Sequence, residues 1–353
     1  MATWICKFGG SSLADIAKIQ AVAKQVVDFQ QQNHRLVVVV SAMGNTTDTL
    51  LAQARSITEN PPQRELDMLL TAGERISMAL FSMAIHAQGG RSTSLTGSQS
   101  GIITEDKHQG ARILEIRPAR IEEALAQGDI AIVAGYQGVS IKREITTLGR
   151  GGSDLTAVAL AGALHADRCM IFSDVDGVYT ADPRDCPNAQ HMPEIDYDFM
   201  LAMAQAGAKV LNARAVETAR SSSISVEAYK TGDTSARHTV LSPKVKTRLW
   251  AIVGHRQIML SDDTRWPQIG VGNNGRYVDM TDANTRDIQE RQGLVTPLGA
   301  NAPLNLLAKH LVDEGIHIVD TIDATFGKGF VLNRNDVAKG VCLLHNRLEA
   351  HVP

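Results

Sequence analysis

The run Thr147-Leu148-Gly149-Arg150-Gly151-Gly152-Ser153-Asp154-Leu155-Thr156-Ala157 constrains this chain more than any other stretch, because a glycine-rich turn leads straight into an apolar helical pattern. Amides freed by Gly151 and Gly152, followed by a helix amino terminus near Ser153, favour anionic oxygens. A phosphate and a carboxylate suit such a place equally. The fold must therefore present this turn at a site rather than bury it in a core.

The surrounding pattern names the class of fold. From residue 1 to about 245, short β-rich runs alternate with longer helical ones, as in an α/β sheet covered on both faces. Strands are predicted at Trp4–Phe8, Leu36–Ser41, Ser92–Thr96, Ile130–Gly135 and Cys169–Ser173, most of them apolar throughout. Leu13, Ile16, Ile19, Val22, Val26 and Phe29 form one helical stripe, and a long helix is predicted from about Pro62 to Ala87. At 353 residues the chain calls for a second core, since single cores seldom grow beyond about 250–300 residues. Composition shifts near Ser242-Pro243-Lys244-Val245-Lys246, which sets expected domains at 1–245 and 246–353. In the second, strands are expected at Trp250–Ser261, Leu294–Leu298, Ile316–Ile322 and Gly329–Leu332, and helices at Pro303–Glu314 and Asp336–Leu348. Asn301 is a candidate cap for the first of these helices and Gly315 its terminator. Asp262–Gln289 is polar and carries no clear period.

Composition excludes several kinds of function. With 44% hydrophobic and 21% charged residues, and 35 Lys+Arg against 38 Asp+Glu, the chain reads as a soluble globular protein without a nucleic-acid surface. Cys6, Cys169, Cys186 and Cys342 show no CxxC or Cys/His spacing, so they read as free thiols in a reducing compartment. No leader pattern opens the sequence and no apolar run of about 18 or more residues interrupts it, so a cytoplasmic protein with no membrane partner is expected. Neither a Walker A motif nor a Gly-x-Gly-x-x-Gly fingerprint is present, and the eleven histidines contain no His-Glu-x-x-His. No residue is assigned to a metal.

Other stretches carry chemistry on their own terms. Lys7, closing the first predicted strand just before Gly9-Gly10, suits a cation aimed at phosphate and equally a surface lysine beside a turn. Ser41-Ala42-Met43-Gly44-Asn45-Thr46-Thr47-Asp48 follows an apolar strand, where α/β folds present ligand loops, yet it also reads as an ordinary turn of small residues. Glu74 and Arg75 inside the long helix read alike as a solvated pair or as a shielded carboxylate. Asp174 and Asp176 share an Asp-x-Asp spacing, but the further ligands of a calcium loop do not follow.

Taken together, Lys7–Ser12, Thr147–Ala157 and Phe172–Tyr179 resemble the aspartokinases of the amino-acid kinase superfamily. The resemblance covers roughly residues 3–242, and more weakly 293–348, where the β-α-β-β-α order resembles an ACT domain. It implies an amino-acid kinase fold, a largely parallel central sheet sandwiched by helices, with a smaller α+β ACT-like carboxy-terminal domain. It also implies ATP-dependent phosphorylation of a carboxylate, with magnesium on the nucleotide. Lys7, Asp154 and Lys209 would then be catalytic, Asp154 holding the lysine ammonium groups. Ser41, Thr47, Glu74, Arg150, Gly151 and Ser153 would bind the amino acid, with Glu74 on its α-amino group and Arg150 clamping its α-carboxylate. ATP would meet Lys7, Gly9, Gly10, Ser173, Asp174, Tyr179, Arg184 and Lys209. One departure stands out: Asn212-Ala213 occupies the place where the family usually has histidine or glutamine and then proline.

The expected reaction is conversion of L-aspartate and ATP to 4-phospho-L-aspartate, the first step toward lysine, methionine and threonine. Two rivals remain: a kinase of the same fold for another amino-acid carboxylate, and a silent amino-acid-binding regulator. Retention of Lys7, Asp154 and Lys209 argues against the second. A homodimer is expected, assembled partly through the carboxy-terminal domain. Because Trp250–Gln289 lacks the amphipathic helix of a full first ACT module, weak or absent inhibition by lysine or threonine is expected too.

Overall fold

Val37, Val38, Val39 and Val40 are all fully buried, as a strand covered on both faces requires, and they mark the middle of the main sheet. The structure is a computed structural model that describes residues 1–247, 250–260, 268–279, 292–299 and 302–349, without the side chains of 234–236, 260 and 276. In chain order the described residues form β1 (Thr3–Phe8), α1 (Ile16–Gln31), β2 (Arg35–Val40), α2 (Thr46–Ile57), α3 (Gln63–Ala87), β3 (Ser92–Leu95), β4 (Ile102–Thr104) and β5 (Ile113–Ile116). There follow α4 (Ala119–Ala126), β6 (Ile130–Ala134), β7 (Gln137–Ser140), β8 (Ile145–Thr147), α5 (Gly152–Ala163), β9 (Arg168–Ser173), β10 (Val178–Tyr179), β11 (His191–Met192) and β12 (Glu194–Ile195). Next come α6 (Tyr197–Ala206), α7 (Ala213–Ser222), β13 (Val226–Lys230), β14 (Asp233–Leu241), β15 (Ala251–Leu260), β16 (Gln268–Gly272) and β17 (Gly275–Asp279). The last are β18 (Gln292–Leu298), α8 (Leu304–Asp313), β19 (Ile318–Ala324), β20 (Gly327–Asn333) and α9 (Val337–Glu349).

Contacts divide the chain into two compact units, Met1–Gly177 with Arg214–Pro243, and Val178–Ala213 with Lys244–Pro353. The first unit orders its main-sheet strands β14-β13-β9-β1-β2-β6-β3, parallel from β13 to β3. Alternate residues point to opposite faces. Cys6, Phe8, Val38, Val40, Ile132 and Phe172 share one cluster with Val22, Val26, Phe81 and Ile85 of α1 and α3. Across the sheet, α5 packs on β1 and β9. A small sheet, β5-β4-β7-β8, adjoins α3 through β8. The five strands expected from the sequence are all present, displaced by at most a residue at either end. The small sheet and the β13–β14 pair carry polar, short runs and give little periodic signal.

From β1 the chain moves to β2 on one side, whereas β9 lies on the other side and leads on to β13. Strand order thus reverses between β1 and β9, and ligands of open α/β sheets bind in the crevice at the carboxyl ends of such strands. The loops after β1, β2, β6 and β9 all emerge at that edge. One helix among the described residues, α3, is long and apolar enough to cross a bilayer, which the search for unbroken apolar runs did not anticipate. Its Leu66, Leu70, Phe81 and Ile85 are buried in the protein instead.

In the second unit, β15-β17-β16-β19-β20-β18 close into a barrel. From β18 onward the order is β-α-β-β-α, as read from the sequence, with strand limits shifted by a few residues. Its core joins Ile252, Val295 and Phe330 to Leu307, Leu311, Val341 and Leu344 of α8 and α9. Ala181 and Cys186 belong to the same core. For that reason residues 178–213, expected in the first domain by the boundary at 245, group here with the carboxy-terminal residues. Asn301 lies outside the described residues; α8 starts at Leu304, with Pro303 at its N-cap and no side-chain cap. Part of Asp262–Gln289 also lies outside them, and the rest forms the β16–β17 hairpin.

Candidate active site

The ends of β1 and β9 and the start of α5 carry Lys7, Gly9, Gly10, Gly151, Ser153, Asp154, Ser173 and Asp174. Lys7, one residue before the end of β1, reaches Asp154 in the first turn of α5 with Nζ–Oδ1 of 2.6 Å, and both side chains are largely shielded, 12% and 13% exposed. A carboxylate in the first helical turn complements the helix dipole as well as the Lys7 ammonium. Gly10 lets the turn after β1 lie on the loop after β2. A Cβ there would come within 2.9 Å of the carbonyl oxygens of Ala42 and Gly44. The Gly44 amide donates to Gly10 at 3.0 Å, and that of Gly9 donates to the Phe172 carbonyl at 3.3 Å. The loops of three adjacent strands are thus tied together.

Gly151 opens α5 at φ 68°, and no side chain caps the helix. That conformation costs other L residues roughly 1–2 kcal/mol, which explains glycine at this turn. The Gly152 amide donates to the Gly149 carbonyl at 2.9 Å, which leaves the Ser153 and Asp154 amides of the first helical turn to suit an anion, as the sequence suggested for Gly151 and Ser153. Ser153 is buried and Arg150 exposed. The Arg150 charge acts on the phenol of Tyr136, together with those of Glu74 and Asp67.

Glu74 resolves the two readings of the helix pair. It is only 3% exposed, and Oε1 accepts the Ala42 amide at 3.2 Å. Oε2 is buried with no hydrogen-bond partner. Burial pushes its carboxyl up to about 7, against the pull of the Ala42 amide. Ser41 and Thr47 are half-buried, Ser41 donating its amide to Phe8 and Thr47 standing in the first turn of α2.

Ser173 and Asp174, at the end of β9, line a groove of about 730 Å³ with Ser11, Ser12, Lys230 and Thr231. Thr231 donates its amide and its hydroxyl to the Ser173 carbonyl, each at 2.9 Å, and its oxygen meets Ser12 Oγ at 2.6 Å. Tyr179, Arg184 and Lys209 belong to the second unit. Tyr179 packs edge-on against His191. Arg184, expected on phosphate, donates Nε and Nη2 to both oxygens of Asp182 at 3.0 and 2.8 Å, an exposed pair that binding energy readily exchanges. Lys209 is exposed in the turn between α6 and α7. Among the described residues no group of three His, Cys, Asp or Glu side chains is built to hold a metal ion.

Sequence reasoning missed Asp67, His108, Gln109 and Tyr136. Asp67 offered one signal: seven residues before Glu74 on α3, it sits on the same helical face among Leu66 and Leu70.

Residues 2–227 match the Amino acid kinase family, and the chain belongs to that family. Within it the chain is similar to aspartokinases. That of Mycolicibacterium smegmatis is 54% identical over 221 residues, 62% of this chain and 52% of that one. Aspartate kinase from Synechocystis is 32% identical in its crystal structure, with a TM-score of 0.63 over 99% of this chain and 69% of that one. E. coli aspartokinase III, crystallised in complex with aspartate and ADP, shares the fold with a TM-score of 0.82 over 98% of this chain and 100% of that one, at 23% identity. The chain spans about half the length of the curated relatives it matches.

Proposed function

We propose that the protein is an aspartokinase, transferring the γ-phosphoryl group of ATP to the side-chain carboxylate of L-aspartate. Glu74 carries the reading. A buried carboxylate with one oxygen unpartnered is costly unless a cation completes it, and the α-ammonium of an amino acid is such a cation. Arg150 and the uncapped start of α5 supply matching donors for carboxylate and phosphate oxygens.

The chemistry needs little proton transfer, because an aspartate side chain of reference pKa ~3.9 is already ionised at neutral pH. One of its oxygens attacks the γ-phosphorus; the new P–O bond forms as the bond to the β,γ-bridging oxygen breaks, and ADP leaves with that electron pair. Lys7 neutralises charge on the transferring group while Asp154 fixes its ammonium. The Gly9–Gly10 turn, with no room for a Cβ at Gly10, brings backbone close to the phosphates. Ser173 and Asp174 border the groove for the nucleoside. Magnesium would ride on the nucleotide phosphates and screen their charge. A homodimer with an ACT-like regulatory region, cytoplasmic and at the head of lysine, methionine and threonine synthesis, completes the reading on the likeness to aspartokinases.

A coupled assay of ADP release with L-aspartate, L-glutamate, N-acetylglutamate and D-aspartate tests it. L-aspartate should support turnover and N-acetylglutamate, which lacks an ammonium group, should not. Preference for N-acetylglutamate would overturn the role of Glu74 and the function with it.

A further inference from the structure

Asp67 is fully buried on α3, yet every hydrogen bond it accepts comes from a different part of the small-sheet region. His108 Nδ1 reaches Oδ2 at 2.7 Å, and Gln109 Nε2 donates to Oδ1 at 2.6 Å. The Gln109 amide donates to the carboxylate at 3.3 and 3.4 Å. Thr147 Oγ1 donates to Oδ1 at 2.6 Å. Gln109 has φ 56°, a left-handed conformation that a residue with a side chain keeps only when its surroundings fix it. Both its backbone and its side-chain amide end on Asp67.

The network continues toward the substrate turn. The Thr147 carbonyl accepts the amides of Gly110 and Ala111 at 3.0 and 2.9 Å, and Leu148 donates to the Tyr136 carbonyl at 2.8 Å. Arg214 spans the same two segments, donating to the carbonyls of Leu148 and Ala111. Arg150 follows Thr147 by three residues.

We propose that Asp67 is a positioning residue of the kinase reaction: through Thr147 and the 108–111 loop it holds the 148–152 turn so that Arg150 and the α5 amides meet the amino acid. The proposal deepens the aspartokinase reading and rests on it for its kinetic consequence.

The experiment pairs hydrogen–deuterium exchange with steady-state kinetics on wild type, Asp67→Asn, Thr147→Val and Thr147→Ser. Without ligand, both Asp67→Asn and Thr147→Val should speed exchange in peptides covering 108–111 and 147–153, and Thr147→Ser should recover most of the protection. The KM for L-aspartate should rise about 10-fold or more in the two disrupting variants, with the KM for ATP within about 2-fold of wild type. Unchanged exchange at 147–153 in Thr147→Val overturns the proposal even if Asp67→Asn fails to fold. So does an equal loss for both substrates, which a merely structural role would give. If the wild type turns over no amino acid, the aspartokinase reading fails, while the exchange arm still decides whether Asp67 holds the turn.

Discussion

Two carboxylates on one helix face, Asp67 and Glu74, are buried about equally and provided for very differently. Asp67 receives donors from His108, Gln109 and Thr147 on both oxygens. Glu74 receives one amide on one oxygen, and the other has none. A buried charge fully supplied by the protein fixes local structure; one left half-supplied is a place for a ligand. Two turns of α3 therefore divide the work between holding the site and filling it.

The largest effect should come from the Lys7–Asp154 charge pair. Lys7→Ala and Asp154→Ala should each lower turnover by about 100-fold or more while ATP binding changes little, because their role lies in the transition state. Near-wild-type kcat in either folded variant would remove them from the chemistry. Next comes Glu74→Gln, which keeps the shape and loses the charge. The KM for L-aspartate should rise roughly 10- to 100-fold, as expected for a hydrogen bond to a charged group lost in a shielded site.

The same contrast has a pH signature. Glu74 binds the ammonium group only when ionised, and burial raises it to about 7, so kcat/KM for L-aspartate should fall as pH drops through about 7. Stability runs the other way. The folded protein keeps a proton on Glu74 that the unfolded chain has lost, so this group's contribution falls as pH rises from the ordinary carboxylate range to about 7. Melting curves without substrate should show Glu74→Gln gaining on wild type between pH 5 and 8. A pH-independent difference would mean that Glu74 is already paired. Asp67→Asn should instead lower stability throughout this range, by roughly 1–3 kcal/mol, since it disturbs a network whose donors are then left unmet.

How much of this could be read from the sequence follows from distance along the chain. The five buried strands and the β-α-β-β-α order announce themselves through local apolar periods. The glycine turn at 149–152 does so through backbone demands. Glu74 was named by resemblance, but its one amide donor is Ala42, 32 positions away. Asp67 bonds across 41, 42 and 80 positions, and no local pattern encodes such pairings. Grouping of 178–213 with the barrel was hidden for a like reason: Ala181 and Cys186 look like loop residues until Leu307 and Val341 enclose them.

Arg150→Lys should give the smallest change and the sharpest test of the division of labour on α3. Arg150 is exposed, so water competes for its donors and part of any loss is recovered by solvent. Lysine retains the charge but gives up the planar fork that grips a carboxylate with two parallel bonds. The KM for L-aspartate should rise by about 5- to 10-fold, with ATP kinetics unmoved. If Asp67 acts on substrate through the placement of Arg150, combining Arg150→Lys with Asp67→Asn should cost less than the sum of the single changes, because a misplaced fork has little left to lose. Additive effects would separate the two residues and leave Asp67 working on the α5 amides alone. An effect of Arg150→Lys on ATP alone would take Arg150 out of the amino-acid site.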